Sequence, residues 1–157
     1  MELRSELIEM PGEWNLRWLY AAGEVGTKYI TELRDHARIM ATKCPECGRI
    51  LVPPQAYCER CFVSIKDNWV ELEPEGTLEV FTIVNTQFPG QRKPPFVLGY
   101  FRIGGASATL PHFLEGVDLS DIDKAKREIH VGMPVRVVFR EKREGKLSDF
   151  YLEPIKE

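Results

Sequence analysis

Four cysteines, Cys44, Cys47, Cys58 and Cys61, fall within eighteen residues of a 157-residue chain and are its only thiols. Their spacing in CPECGRILVPPQAYCERC is C-x2-C-x10-C-x2-C, which sets two sulfurs on one side of each of two tight turns. Two such turns facing each other place four thiolates at the corners of a tetrahedron, the arrangement that suits Zn2+. Gly48 after Cys47 permits the last turn of the first knuckle. Pro53 and Pro54 stiffen the link to the second. Four thiolates also close the coordination shell, whereas a catalytic zinc keeps one position open. The expected cofactor is a structural zinc.

Two other uses of the same thiols compete with that reading. Iron in a rubredoxin-like site takes four cysteines as well, although such a site usually has glycine after its last cysteine and Phe62 stands there. A thiol–disulfide switch is the remaining one. With the cysteines committed to a metal, none is left as a nucleophile. His36, His112 and His130 have no partner readable from the sequence and are expected at surface or edge positions. GxSxG, HExxH and P-loop patterns are absent. Asp121 and Asp123 read as helix-capping residues rather than an acid–base pair.

The elements that must hold these residues fall into three sections: a helical segment at 1–42, the ribbon at 43–68 and a β-rich section at 69–157. In the first, GEWNLRWLYAAG sets Trp14 and Trp18 four apart on one helical face, and GTKYITELRDHARIM repeats Ile30, Leu33 and Ala37 at helix spacing with Thr27 as N-cap. Short helices need a surface to pack on, so the two tryptophans are either core or a partner-docking pair. The third section contains strand-like runs at 78–88, 96–103, 106–113, 133–141 and 147–155, with Gly104–Gly105 as a two-residue hairpin turn. A short helix, with Ser120 and Asp123 as a capping-box-like start, separates the third run from the fourth. Five strands with a helix in that place predict an OB-fold barrel. The fold class is mainly β with N-terminal helices: a rubredoxin-like zinc ribbon followed by a five-stranded OB-fold.

Composition narrows the partners. The chain is 43% hydrophobic and 29% charged, as soluble domains are, and contains no apolar run of membrane-spanning length. The charged N-terminus is unlike a signal peptide, which points to the cytoplasm and to reduced thiols. Net charge is −3, against a general nucleic-acid binder, yet 124–146 holds eight basic residues against three glutamates. Phe139 is the lone aromatic there, so the interleaving of rings and cations used by single-strand binders is missing. Arg92 and Lys93 lie in PGQRKPPF between the first two barrel strands, where a stiff basic loop would suit a phosphate.

The chain resembles the acyl-CoA-associated OB-fold family, long catalogued as a domain of unknown function. The matching stretches are AAGEVGTKYITELRD, the cysteine run, WVELEPEGTLEVFTIV and VGMPVRVVF, which together span roughly Trp14 to Ile155. The resemblance implies a small non-catalytic subunit that joins a thiolase-like enzyme in a hetero-oligomer, with acyl-CoA at or near the shared interface. It assigns the reactive cysteine to the larger partner. EWNLRWLYAAG is also similar to the small thiolase subunits of anaerobic toluene degradation. One departure stands out: after the paired prolines the family commonly has arginine, and this chain has Gln55. The alternative function is nucleic-acid binding, a task that ribbons and OB-folds both perform.

Overall fold

The computed structural model describes residues 10–12, 16–17, 19–87 and 89–155. Trp14 and Trp18 lie outside the described residues. Within the expected first helix, the described residues 16–17 and 19–22 are not helical, and Leu16, Leu19 and Tyr20 are exposed. The helix that forms is α1, Gly23–Thr31, which continues as one π-helical turn, Glu32–His36. It starts before Thr27, so that residue sits inside the helix rather than at its cap. Tyr29 and Leu33, four residues apart, form its buried face. The turn ends where Ala37 enters the left-handed region.

Three antiparallel strands make the ribbon sheet, in the order β2 (Ile50–Leu51), β1 (Met40–Lys43), β3 (Trp69–Glu71). β1 belongs to the expected helical section and β3 to the expected barrel section. The divisions at 42/43 and 68/69 therefore cut through one hydrogen-bonded sheet, because strands pair by adjacency in space rather than in sequence.

The barrel is closed, in the order β4 (Glu75–Val84), β5 (Phe96–Ile103), β6 (Leu110–Leu114), β8 (Phe150–Pro154), β7 (Pro134–Phe139). This is the expected five-stranded OB-fold, with helix α2 (Ile122–Glu128) between β6 and β7. β4 serves both neighbours: its first residues pair with β7 and the stretch from Gly76 to Val84 with β5, with a bulge between Leu78 and Val80 that bends it. A side chain at Gly76 would meet the backbone carbonyl of Arg102 at 2.1 Å, so only glycine permits the close approach of the β5 backbone there. Along β5, Val97, Gly99, Phe101 and Ile103 are buried while Tyr100 and Arg102 face out. Phe101, Phe150, Leu152 and Val135 fill the interior, in a core continuous with Tyr29 and Leu33.

Several local expectations shift. Asp121, not Ser120, caps α2, its Oδ1 accepting from the Asp123 and Lys124 N–H groups at 3.0 Å. Leu147–Asp149 is a 3-10 turn that precedes the last strand. Gly104 and Gly105 do make a two-residue turn, closed by Ala106 N–H on Ile103 C=O at 2.9 Å, but β5 and β6 pair only from Phe101↔Leu110 inwards. The turn has a second use. A Cβ on Gly104 would lie 2.8 Å from Leu72 Cβ and from Glu73 N, and Ser107 exchanges hydrogen bonds with Ile50 of β2 at 2.8 and 3.0 Å. The hairpin loop is thus spent on fastening ribbon to barrel.

Candidate functional site

The two knuckles at the ribbon tip are built alike. Gly48 N–H donates to Cys44 C=O at 2.9 Å, and Phe62 N–H donates to Cys58 C=O at 2.9 Å. Both residues are left-handed, with φ of 70° and 56°. Phe62 thus does the work of the glycine usual at that point, and as an L-residue it adopts that conformation under strain.

The four Sγ atoms lie within 4.8 Å of one another, and Cys47 Sγ is 3.8 Å from Cys58 Sγ. A tetrahedral ion with metal–sulfur bonds of about 2.3 Å has sulfur–sulfur edges of about 3.8 Å. The donor set therefore fits a four-thiolate structural metal with no ligand missing. Cys44 and Cys58 are buried and Cys47 and Cys61 half-buried. Backbone N–H groups of Cys61 and Arg60 aimed at the Cys58 sulfur bring that thiol down to about 7. Its neighbour Cys61 is pushed up to about 12, first by its contact with Cys47. Four adjacent thiolates repel, so the last protons leave only against a cation.

The ribbon is anchored from both sides. Arg49 of the first knuckle reaches Glu59 of the second at 2.7 Å. The buried Thr42 hydroxyl donates to Gln55 C=O and accepts from Gln55 N–H, both at 3.0 Å. Gln55 therefore fixes the inter-knuckle loop with its backbone, and its side chain is exposed, its amide donating to Pro53 C=O at 3.4 Å. From α1, Lys28 lies 4.4 Å over the Trp69 ring.

The barrel loops carry the other expected site. Arg92 and Lys93 are exposed, and Arg92 is already engaged. Its NH1 donates to Glu115 Oε1 at 2.8 Å, and Arg140 NH2 donates to the same oxygen at 2.9 Å. Burial works against ionising Glu115, but the two guanidiniums outweigh it and hold its carboxyl below the usual range. Arg136 is likewise paired with Glu153 and Lys126 with Asp123. Within 124–146, Arg136 and Arg140 are thus matched by carboxylates from elsewhere in the chain, and Lys126 by its helix neighbour.

His112 departs from expectation: it is buried, on the inner side of β6. Its Nε2 donates to Leu147 C=O at 2.8 Å and its Nδ1 accepts from Phe113 N–H at 2.8 Å, which defines the neutral tautomer. Burial pushes its pKa down. With both nitrogens occupied the ring is a structural tie, its centroid 4.1 Å from that of Phe150 and its plane tilted by 35°. Sequence reasoning missed it because the contact to Leu147 spans 35 residues. Asp149 was missed for a similar reason. Burial raises its pKa, but N–H groups of Glu144, Lys146 and Gly145 outweigh that and leave it lowered, holding the 140–149 loop in one shape.

With this geometry in view, comparison with known proteins gives a consistent picture. Residues 31–67 match the family described as the ChsH2 rubredoxin-like zinc ribbon domain. Residues 69–140 match the ChsH2 C-terminal OB-fold domain. The fold is shared with a DUF35-family protein of unknown function from Sulfolobus solfataricus, at 24% identity over 85% of this chain and 87% of that one, with a TM-score of 0.62. It is also shared with an Ltp2–ChsH2 (DUF35) aldolase, at 18% identity over 82% and 93% of the two chains and a TM-score of 0.58. No curated protein sequence matches. No helix among the described residues is long and apolar enough to cross a membrane. The two matches adjoin, so the chain is similar first to the ChsH2 zinc-ribbon domain and then to the ChsH2 OB-fold domain, in the order ribbon then barrel.

Proposed function

We propose that this chain is a zinc-binding, non-catalytic subunit that assembles with a thiolase-like enzyme and helps shape its acyl-CoA site. The observation that carries the reading is the closed thiolate cluster on a ribbon fastened to the barrel. Such a cluster offers rigidity rather than an open coordination position. The domain pair supports it, as does the fold shared with the Ltp2–ChsH2 aldolase. Zinc is the ion this reading assigns to Cys44, Cys47, Cys58 and Cys61.

Within it, the reactive cysteine belongs to the larger partner, which performs either thiolytic acyl transfer or aldol cleavage. The N-terminal resemblance favours the first, in the manner of the small subunit of benzoylsuccinyl-CoA thiolase. Arg92 and Lys93 are the groups nearest to hand for coenzyme A phosphates, with Glu115 offsetting part of that charge. Trp14 and Trp18 would dock the partner, and the cytoplasm is the expected compartment.

The test is co-expression with the thiolase-like protein encoded beside this gene, followed by size exclusion, metal analysis and assay of acyl-CoA turnover. Co-elution, stoichiometric zinc and turnover only by the combined chains are the expected result. Independent migration of the two proteins would sink the reading.

A further inference from the structure

The strand register places an apolar strip on the outside of the barrel. Val80 pairs across to Tyr100, and Tyr100 to Pro111, so one row of outward side chains crosses β4, β5 and β6. Leu98 and Phe113 make the next row. Val80 is 57% exposed, Tyr100 47% and Leu147 52%. Isolated apolar residues on a surface need no explanation, but contiguous ones mark an interaction site. Beside them lies a groove of about 290 Å³ lined by Leu98, Pro111, His112, Phe113, Leu147 and Ser148.

The rim of this strip is basic. Arg92 lies 5.2 Å over the Phe113 ring, and Arg140 donates to Ser148 C=O at 2.9 Å, so both touch residues that line the groove. Lys93 and Lys146 are exposed in the same two loops; Lys146 is paired with Glu144 as Arg92 and Arg140 are with Glu115, so these four cations face two carboxylates and the rim keeps a positive excess. A chain of net charge −3 has therefore gathered cations around its apolar strand face. The hydrogen-bonded His112 and the Asp149-tied loop make the floor and one wall rigid before anything binds, which lowers the cost of association.

We infer that this face of β5 and β6, with the loops bearing Arg92 and Leu147, docks an acidic-rimmed protein surface that inserts an apolar side chain into the groove. The inference rests on the proposed function and names where the partner sits. A nucleic acid suits the face less well. Stacking platforms need open rings, whereas Phe113 is covered by Arg92, and Tyr151 by Arg140 at 4.9 Å.

The experiment titrates full-length chain with the thiolase-like protein encoded beside its gene, at low and high salt. Tyr100→Glu and Leu147→Glu should each weaken binding roughly tenfold or more, as loss of a central contact does. Val131→Glu, equally exposed but in the α2–β7 turn, should not. Association of the unmutated chain should slow with salt, and less so in Arg140→Gln. Unchanged melting temperature and zinc content confirm folding, and Tyr100→Ser replaces any variant that fails that check. If the unmutated pair binds and the face variants bind equally well, the inference is wrong while the proposed function stands. If the unmutated pair does not bind at all, both fall. A labelled single-stranded 30-mer retained by the chain and released by Tyr100→Glu would give the face to nucleic acid and overturn the inference.

Discussion

Among the described residues, the core at the ribbon tip consists of Cys44, Leu51, Cys58 and Ile65, whereas the barrel shares with α1 a core that runs from Tyr29 to Leu152. Both regions are β-structure, yet they stay folded for different reasons. Burying Leu51 and Ile65 returns about 5 kcal/mol, well below the cost of ordering the knuckles at about 1 kcal/mol or more per residue. The ribbon needs its metal. The barrel, with Phe101, Phe150, Leu78 and Ile103 fully buried, has apolar area enough to hold itself. The lesson is that cross-linking and packing are alternatives, and this chain uses one beside the other.

The largest effect should come from opening the metal shell. Cys58→Ala should release the ion and melt the ribbon, since structural zinc contributes on the order of 10 kcal/mol to the folding of such modules. Zinc content and circular dichroism would check it. The comparison holds if a separate cooperative transition of the barrel survives, and breaks if the whole chain melts together.

Acid probes the barrel side. His112 is held neutral, with its pKa below the ordinary value because of burial, so the unfolded chain binds the proton more readily than the native one. The stability this contributes is present above about pH 6.5 and is lost as pH falls below it. His112→Asn, whose amide retains a donor and an acceptor, should flatten that limb of the denaturant midpoint against pH. Because ribbon and carboxylate titrations are common to both proteins, the difference between the curves isolates His112. Parallel curves would refute the assignment.

The smallest effect is a gain. Phe62→Gly relieves a left-handed residue in the second knuckle, and should strengthen the ribbon by about 1 kcal/mol, reduced somewhat by glycine's freedom when unfolded. Chelator competition should show metal held a few-fold more tightly. Weaker retention would mean that the exposed ring contributes something its contacts do not reveal.

How much was legible in advance follows the same division. The cysteine spacing could be read at once because a C-x2-C turn is a local object, closed by bonds such as Gly48 N–H to Cys44 C=O within five residues. The β-branched and aromatic run Phe96–Ile103 was equally local and became β5 at those bounds. The α1 start and the Ser120 cap were misplaced, since capping side chains are interchangeable until the backbone shows which one is turned towards free N–H groups.

The residue sequence by itself therefore determined the cysteine cluster, the order of ribbon and barrel, and the strand at Phe96–Ile103, because each depends on chain geometry over a few residues. Only the tertiary structure decided that His112 is buried, that Gly104 and Ser107 fasten the hairpin loop to the ribbon, and that Arg92, Arg140 and Glu115 meet. It alone assembled Tyr100, Phe113 and Leu147 into one face. These are pairings across 23 to 57 residues, and closing a barrel selects among them by packing that no local pattern records.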